Sequence, residues 1–549
     1  MKQTSRKGNG TTTGEVFTKP EVVAYMMQEV MCAGRFGKWS GLRVLEPSCG
    51  EGAFVLTLVR ALVAESPDWQ DGSLDHFLRA CDISEANVNS TRNAVSSILQ
   101  EAGCPQDIRK RLLSKWFLVC DFLLQEFPEP FDVIIGNPPY IRFDDLSSVQ
   151  QNEYRRRYKT FSERCDIYVP FFERSLDLLS ERGVFSFICS NRFAKSSYGR
   201  RLRSLISERF HVRLYLNMEH AQPFEDEVSA YPAITVIDRK AKGATFSGTI
   251  DDASEKTLKT VRTAKHGTSL GRFDNWYEGD APWISTDVND RKESDLITRV
   301  YPTIEESAGG TVIGIGVASG ADDIFVDPHK HADIEKESLL PLVMAEDICH
   351  GKINWHDRYM LNPYDPSDDS RMLDLATRPK TAVYFEENAS KLKARYCAKK
   401  HPDSWYRTLD RIKYTVLSSA KILLPDIQLG GNVALDESGK YYPHHNVYWI
   451  TSKTWNMKAL CVMMRSSFVT RQIRRSSVQM RGGSIRYQAQ NLRNVHVPAW
   501  ESLDKKDVKQ LVDLYDSTDS STIDTVVDRI LSQVENRQPR KCVQGVLFE

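Results

Sequence analysis

Between residues 42 and 238 the chain alternates short apolar runs with longer segments in which apolar residues recur every three or four positions. The runs LRVLE, FLRACDI, WFLVCDF, FDVIIGN, GVFSFIC, RLYLNM and AITVID have the length and the β-branched or aromatic content of strands. Between them, stretches such as DIYVPFFERSLDLLSERG carry the spacing of helices with one apolar face. This alternation predicts βαβ units on a mostly parallel sheet, and so an α/β, Rossmann-like fold class. Residues 1–13, rich in Thr, Gly, Lys and Asn, have almost nothing to bury and read as a flexible N-terminal arm. The ordered first domain is expected over 14–245. Residues 246–280 are polar and poor in large apolar groups, which predicts a connector. From 281 to 549, Gly-punctuated strand patterns mix with helical ones, predicting a second domain of mixed α+β type.

The length of 549 residues agrees with at least two domains, since one hydrophobic core seldom organises so long a chain. Lys plus Arg and Asp plus Glu are equal at 73 each, so a polyanionic partner has to be held by locally clustered charge. No run approaches the roughly 20 apolar residues of a membrane helix, and no apolar stretch follows the polar N-terminus. A soluble, cytoplasmic protein is expected. The eleven cysteines form no CxxC pair, and several sit inside apolar runs, which argues for buried free thiols, a reducing cytoplasm and no zinc site.

The first chemical signal is VLEPSCGEGAF, residues 44–54, where a strand enters a glycine-containing turn and then a helical pattern. Gly50 and Gly52 let backbone approach a ligand, and Asp82, at the end of the next strand, suits ribose hydroxyls. A mere tight turn is the alternative reading. Glu46 shifts the balance: a carboxylate is unwelcome beside a pyrophosphate but favourable beside the ammonium and sulfonium of S-adenosylmethionine. Asp121, in LVCDFLL, is then an acceptor for the adenine amino group of that cofactor, or simply a solvated strand end.

The strongest signal is FDVIIGNPPYIRF, where a buried strand delivers Asn137, Pro138, Pro139 and Tyr140 at its carboxyl end, the edge at which open α/β sheets place their sites. An exocyclic base amine is a poor nucleophile because its lone pair is delocalised into the ring. Two acceptors aimed at its N–H groups, the Asn137 side-chain oxygen and the Pro138 carbonyl, make it more tetrahedral and stabilise the charge that develops on nitrogen. The prolines stiffen the turn, and Tyr140 offers a face on which an extruded base can stack.

These motifs together resemble the gamma group of DNA adenine-N6 methyltransferases of type II restriction-modification systems. VLEPSCGEGAF, ACDIS, CDFLL and IIGNPPY occur in that group's order, and GEVFTKPEVVAYMM is similar to the segment that precedes its cofactor loop. The resemblance implies a catalytic role for Asn137, Pro138 and Tyr140. It implies cofactor contacts from Thr18, Glu46, Pro47, Ser48, Gly50, Gly52, Asp82, Ile83, Asp121, Phe122 and Pro139. PFEDEVSAYPAITVI is similar to a later hairpin whose aromatic residue, here Phe224, sandwiches the flipped base with Tyr140, although the Pro within AYPAITVI departs from a regular strand. The implied reaction is methyl transfer from S-adenosylmethionine to N6 of a flipped adenine in double-stranded DNA, by an enzyme acting as a monomer. A cognate restriction endonuclease would share the recognition site without needing to bind.

GVASGADDIFV, RYCAKKHPDSWYRTL and RGGSIRYQAQNLRNVHVP resemble the same group's target-recognition domain, so the C-terminal domain is expected to bind DNA. Residues 465–500 hold seven arginines before Asn494 and no Asp or Glu up to Trp500, which reads as a local cationic surface. Arg474, Arg481, Gly482, Gly483 and Arg486 are the expected DNA contacts there, joined by Arg156 and Arg157 after the Asn-Pro-Pro-Tyr turn. For each arginine alone, a solvated helix face is the competing reading. Two other function classes compete: a methyltransferase acting on protein glutamine or an RNA base, and a nuclease or translocase subunit. The long basic C-terminal region argues against glutamine, and the lack of a GxxxxGK[ST] loop argues against the translocase. Cytosine N4 poses the same chemical problem as adenine N6, but that activity more often has Ser in place of Asn137.

Overall fold

The computed structural model describes residues 16–226, 231–239, 242–263, 270–274, 276–283, 288–349, 351–365, 367–477 and 483–537. The expected arm at 1–13, together with Arg481 and Gly482, lies outside them. The chain divides into two compact units, Met1–Lys292 and Glu293–Glu549. Among the described residues no helix is long and apolar enough to cross a membrane.

The first unit is built on one nine-stranded sheet. Its strands are β1 (Val44–Glu46), β2 (Leu78–Asp82), β3 (Phe117–Val119), β4 (Phe131–Gly136), β5 (Leu179–Ser190), β6 (His211–Asn217), β7 (Pro232–Asp238), β8 (Thr245–Thr249) and β9 (Gly271–Phe273). Their order is β3-β2-β1-β4-β5-β7-β6-β8-β9. Strands β1 to β5 are parallel, and β7 enters antiparallel between β5 and β6. All seven apolar runs of the sequence are strands of this sheet. They lack an apolar–polar alternation because both faces are covered, as parallel sheets require. On β4, Val133 and Ile135 point into one core and Ile134 into the other, the period of two that a strand imposes. Helices α1 (Pro20–Gly34), α2 (Ala53–Ala64), α3 (Glu85–Glu101) and α4 (Gln106–Trp116) bury residues in the first core, while α5 (Ser148–Arg157), α6 (Tyr168–Asp177) and α8 (Arg200–Arg209), preceded by the short α7 (Arg192–Lys195), pack on the second. Pro232 opens β7, a position at which proline removes no needed donor from the strand interior.

The stretch expected as a connector is instead part of this unit. Residues 246–280 contain most of β8, all of α9 (Glu255–Thr263) and β9, and the strands extend the sheet beyond β6. The division falls at residue 292, not in 246–280. The second unit is of mixed type, as expected. Its four-stranded sheet runs in the order Val312–Ile315, Val447–Thr451, Lys421–Pro425, Ala434–Asp436, all antiparallel. Helices Met457–Arg465, Ser467–Ser476, Lys505–Asp513 and Ser520–Arg537 share its larger core.

Candidate active site

The carboxyl ends of β1, β2, β3 and β4 border one cavity of about 490 Å³, within the range of small-molecule sites. The β1–α2 loop forms its floor because two glycines accept left-handed backbone: Gly50 has φ +48° and Gly52 has φ +91°. A Cβ on Gly52 would come within 2.7 Å of Thr91, so this turn closes on α3 only with glycine. Asp82 fixes the loop from β2: its Oδ2 accepts from the Gly50 amide at 2.9 Å and its Oδ1 from the Ser84 amide at 2.8 Å. Thr91 Oγ1 donates to the Gly50 carbonyl at 2.8 Å. Asp121 is held in the same manner, accepting from the Leu123 amide at 2.9 Å and from the Tyr154 hydroxyl at 2.7 Å. A carboxylate has about four acceptor positions, so each aspartate retains capacity for a ligand.

Thr18, Pro47, Ser48 and Gly50 line the cavity on one side, Asp82, Ile83, Asp121 and Phe122 on another, and Asn137, Pro138 and Pro139 close it. Glu46 and Gly52 do not reach its wall. Glu46 is 1 % exposed, its Oε1 accepting from the Ser48 amide at 3.3 Å while Oε2 has no partner among the described residues. Burial is the main cause that pushes its pKa well above the carboxylate range, with Asp82 adding to the rise. Burial thus acts against the charged form that was expected to face a cationic ligand. Gly136 makes room for it, because a Cβ there would lie 2.2 Å from its carboxyl oxygen. Phe17, Phe54, Gln150, Tyr154 and Phe171 also line the cavity. Phe17, Phe54 and Phe171 fall inside segments already singled out in the sequence, whereas nothing there marks Gln150 or Tyr154: Tyr154 sits within QQNEYRRR, a run that reads as charged surface.

At the end of β4, the Asn137 side-chain amide donates to the Val16 carbonyl at 2.8 Å and to Thr18 Oγ1 at 3.3 Å. A carbonyl can only accept, so this bond fixes which end of the amide is nitrogen. Asn137 Oδ1 is left buried and without a partner among the described residues. The segment that supplies Val16 and Thr18 is itself held by Phe224 and its neighbours, through a Thr18–Phe224 bridge, Lys19 N to Pro223 O at 3.0 Å and Glu225 N to Phe17 O at 3.0 Å. Ser48 Oγ donates to the Asn137 carbonyl at 3.0 Å, tying the two loops together.

Tyr140 and Phe224 do meet, with ring centroids 6.1 Å apart at 80°. This is an edge-to-face pair, so the rings present no parallel slot, and a base between them requires one ring to turn or withdraw. Phe224 is buried, and the Tyr140 hydroxyl is buried without a partner among the described residues.

Several of the expected cationic positions make ion pairs, some of them sharing one carboxylate. Arg156 and Arg157 both bond Glu153, at 2.7 and 2.8 Å, and hydrogen bonds from both hold the Glu153 carboxyl down at about 2. Arg486 is paired with Asp426. Within 465–500, Arg471 and Arg475 reach Glu293, and Arg493 reaches Glu305 at 3.5 Å. Arg474 is exposed and makes no ion pair among the described residues, and Gly483 is exposed with φ +79°.

Residues 76–224 match a family model described as Eco57I restriction-modification methylase. Over 508 residues the chain is 35% identical to the type II methyltransferase M.XhoI of Xanthomonas vasicola, covering 90% of this chain and 92% of that protein. It is 32% identical over 546 residues to the type II methyltransferase M.BstVI of Geobacillus stearothermophilus, covering 95% and 97%. Among solved structures, the type IIL restriction-modification enzyme MmeI in complex with DNA superposes with a TM-score of 0.61 at 12% identity, over 95% of this chain and 74% of that one. That likeness is one of fold, and with the strand order it makes the first unit a Rossmann-like methyltransferase fold. The chain belongs to the type II restriction-modification methyltransferases.

Proposed function

We propose that this protein transfers a methyl group from S-adenosylmethionine to N6 of an adenine extruded from double-stranded DNA, as the modification enzyme of a restriction-modification system. The observation that carries the reading is the Asn137 side chain: a buried oxygen with no partner among the described residues, oriented by the Val16 carbonyl, on the wall of the cavity. Burying an acceptor unsatisfied costs about 1–3 kcal/mol, and such a cost persists where a ligand repays it. An amino group that donates one N–H to Asn137 Oδ1 and the other to the Pro138 carbonyl loses conjugation with its ring and gains nucleophilicity. No general base is needed for attack, because the amine attacks before it loses its proton. Asp82 and Asp121 offer acceptors for ribose hydroxyls and for an adenine amino group, and Phe122 and Ile83 supply apolar walls. The cofactor itself supplies the electrophilic methyl group.

Relatives named as type II methyltransferases support DNA as the substrate. On this reading the second unit selects the sequence, with Arg474 and Gly483 among its DNA contacts, and the enzyme works as a cytoplasmic monomer beside an endonuclease of the same specificity. Single-molecule sequencing of DNA from cells that express the chain tests target base and site together. N6-methyladenine at one recurrent sequence is expected. N4-methylcytosine overturns the choice of base, and unmodified DNA overturns the reaction.

A further inference from the structure

The second unit contains a cluster of three metal-ligating side chains that the methyl-transfer reading does not use. His444 Nε2 lies 3.2 Å from Asp322 Oδ2 and 3.1 Å from His445 Nδ1, and all three atoms lie within 4.8 Å of one another. On its other side, His444 Nδ1 lies 3.1 Å from Asn446 Oδ1. That contact places a proton on Nδ1, which donates it to the amide oxygen, so in the neutral ring Nε2 presents a lone pair. A lone pair then faces a carboxylate oxygen, which can only accept, across 3.2 Å.

Two acceptors so close repel unless a positive charge sits between them. A proton bridges two atoms, but here three converge, the third from His445. Tetrahedral coordination with bonds of about 2.0–2.1 Å sets ligand atoms roughly 3.3 Å apart, and the two separations that meet at His444 Nε2 are 3.1 and 3.2 Å. Outer partners complete the arrangement. Asn446 orients His444, and Ser319 Oγ donates to the second carboxylate oxygen of Asp322, as metal-bound imidazoles and carboxylates usually require.

The backbone holds the two halves in register without metal. Val317 N donates to the Pro443 carbonyl at 3.0 Å and His444 N to the Val343 carbonyl at 3.0 Å. Gly316 permits this approach, since a Cβ there would stand 2.2 Å from the His444 carbonyl. His444 is 3 % exposed, whereas Asp322 and His445 are exposed, so the group opens to solvent on one side.

We propose that Asp322, His444 and His445 bind one first-row divalent transition metal, of which Zn²⁺ fits two imidazole nitrogens and a carboxylate oxygen best, with water in the fourth position. The ion fastens the segment after Val312–Ile315 to the turn before Val447–Thr451, so its role is to stiffen the second unit.

The experiment uses the tag-free full-length protein, stripped with a chelator and titrated with Zn²⁺ in competition with a chromophoric chelator. Wild-type protein is expected to take up one equivalent, and Co²⁺ in its place to give the visible absorption of a tetrahedral site. His445→Ala and Asp322→Asn change exposed side chains, and circular dichroism verifies that each is folded. Each is expected to weaken Zn²⁺ binding by at least about tenfold. Zn²⁺ is expected to raise the melting temperature of wild type and not of the variants. No uptake by wild type, or equal affinity in wild type and both variants, overturns the proposal.

Discussion

The Val16 carbonyl, 121 positions before Asn137 in the chain, accepts the Asn137 amide at 2.8 Å and so determines that the oxygen of that side chain is the end left unpartnered. An N-terminal segment thereby sets the orientation of the group expected to polarise the target amine.

Asn137→Ala removes that oxygen and leaves the cavity walls in place. Single-turnover methylation is expected to fall by roughly 10²- to 10³-fold or more, the cost of losing one preorganised transition-state partner. S-adenosylmethionine affinity, measured by equilibrium dialysis, is expected to stay within about threefold of wild type. Turnover near the wild-type rate would show that Oδ1 takes no part.

Asp82 has two duties, since it orders the Gly50 loop and lines the cavity. Asp82→Ala is expected to weaken S-adenosylmethionine binding by roughly 1–3 kcal/mol, through loss of a charge-assisted contact and of the loop anchor together. Asp82→Asn keeps one oxygen and is expected to fall between wild type and alanine. Calorimetric titration of the three proteins ranks them, and equal affinities would take Asp82 out of the cofactor site.

Glu46 gives a pH signature. An ordinary glutamate ionises near about 4.3, whereas burial holds folded Glu46 protonated to well above that. The folded state then binds more protons than the unfolded one, so the Glu46 contribution is fully present at low pH and is lost as pH rises towards the folded pKa. Glu46→Gln keeps the shape without the titration. The stability difference between variant and wild type, from urea unfolding of the cofactor-free protein, is expected to move in favour of the variant as pH is raised from 4 to 8. A difference that does not change with pH would mean that Glu46 ionises in the fold at its ordinary pKa.

Much of this arrangement is legible in the sequence, and the parts that are not share a cause. The seven apolar runs announce their strands because each is buried on both faces. Strand β8 gives no such signal, since its inward residues include Thr245 and Ser247, whose hydroxyls donate to the Val212 and Tyr215 carbonyls of β6. A polar run can be buried when neighbouring backbone satisfies it, and composition then reads as a connector. The arginine-rich stretch misleads in the opposite direction. Residues 465–500 contain no acid, yet Glu293, Glu305 and Asp426 arrive from distant positions to pair with its arginines. Charge inside a sequence window says little about charge on the folded surface. Asn137, Asp82 and Asp121 were legible because strand ends place them, whereas Tyr154 reaches Asp121 only through the tertiary fold.

That pairing separates two arginines which the sequence treats alike. Arg474→Ala is expected to weaken DNA binding and to reduce the slope of log K against log salt by about one. Arg486→Ala breaks the ion pair with Asp426 and is expected to lower stability with no such change of slope, because its charge is already compensated. Fluorescence anisotropy with duplex DNA at several salt concentrations gives the slopes. A larger loss of slope for Arg486 than for Arg474 would show that the ion pair opens on DNA.

The edge-to-face contact of Tyr140 and Phe224 leads to a test that separates stacking from packing. Extruding a nucleotide costs a few kcal/mol, and stacking on an aromatic face returns about 1–3 kcal/mol per base. Loss of either ring is therefore expected to slow single-turnover methylation of duplex DNA by roughly one to two orders of magnitude. Phe224 is 2 % exposed, so Phe224→Ala also opens a cavity worth about 3–5 kcal/mol of stability. Phe224→Leu retains most of the volume without the aromatic face, which isolates the stacking term. The Tyr140 hydroxyl has no partner among the described residues, so Tyr140→Phe is expected to methylate at the wild-type rate while Tyr140→Ala does not. A 2-aminopurine at the target position reports extrusion in parallel, with quenching by a stacked ring checked against the rates. If Phe224→Leu and Tyr140→Ala both methylate duplex DNA as fast as wild type, the two rings support the fold and not the flipped base.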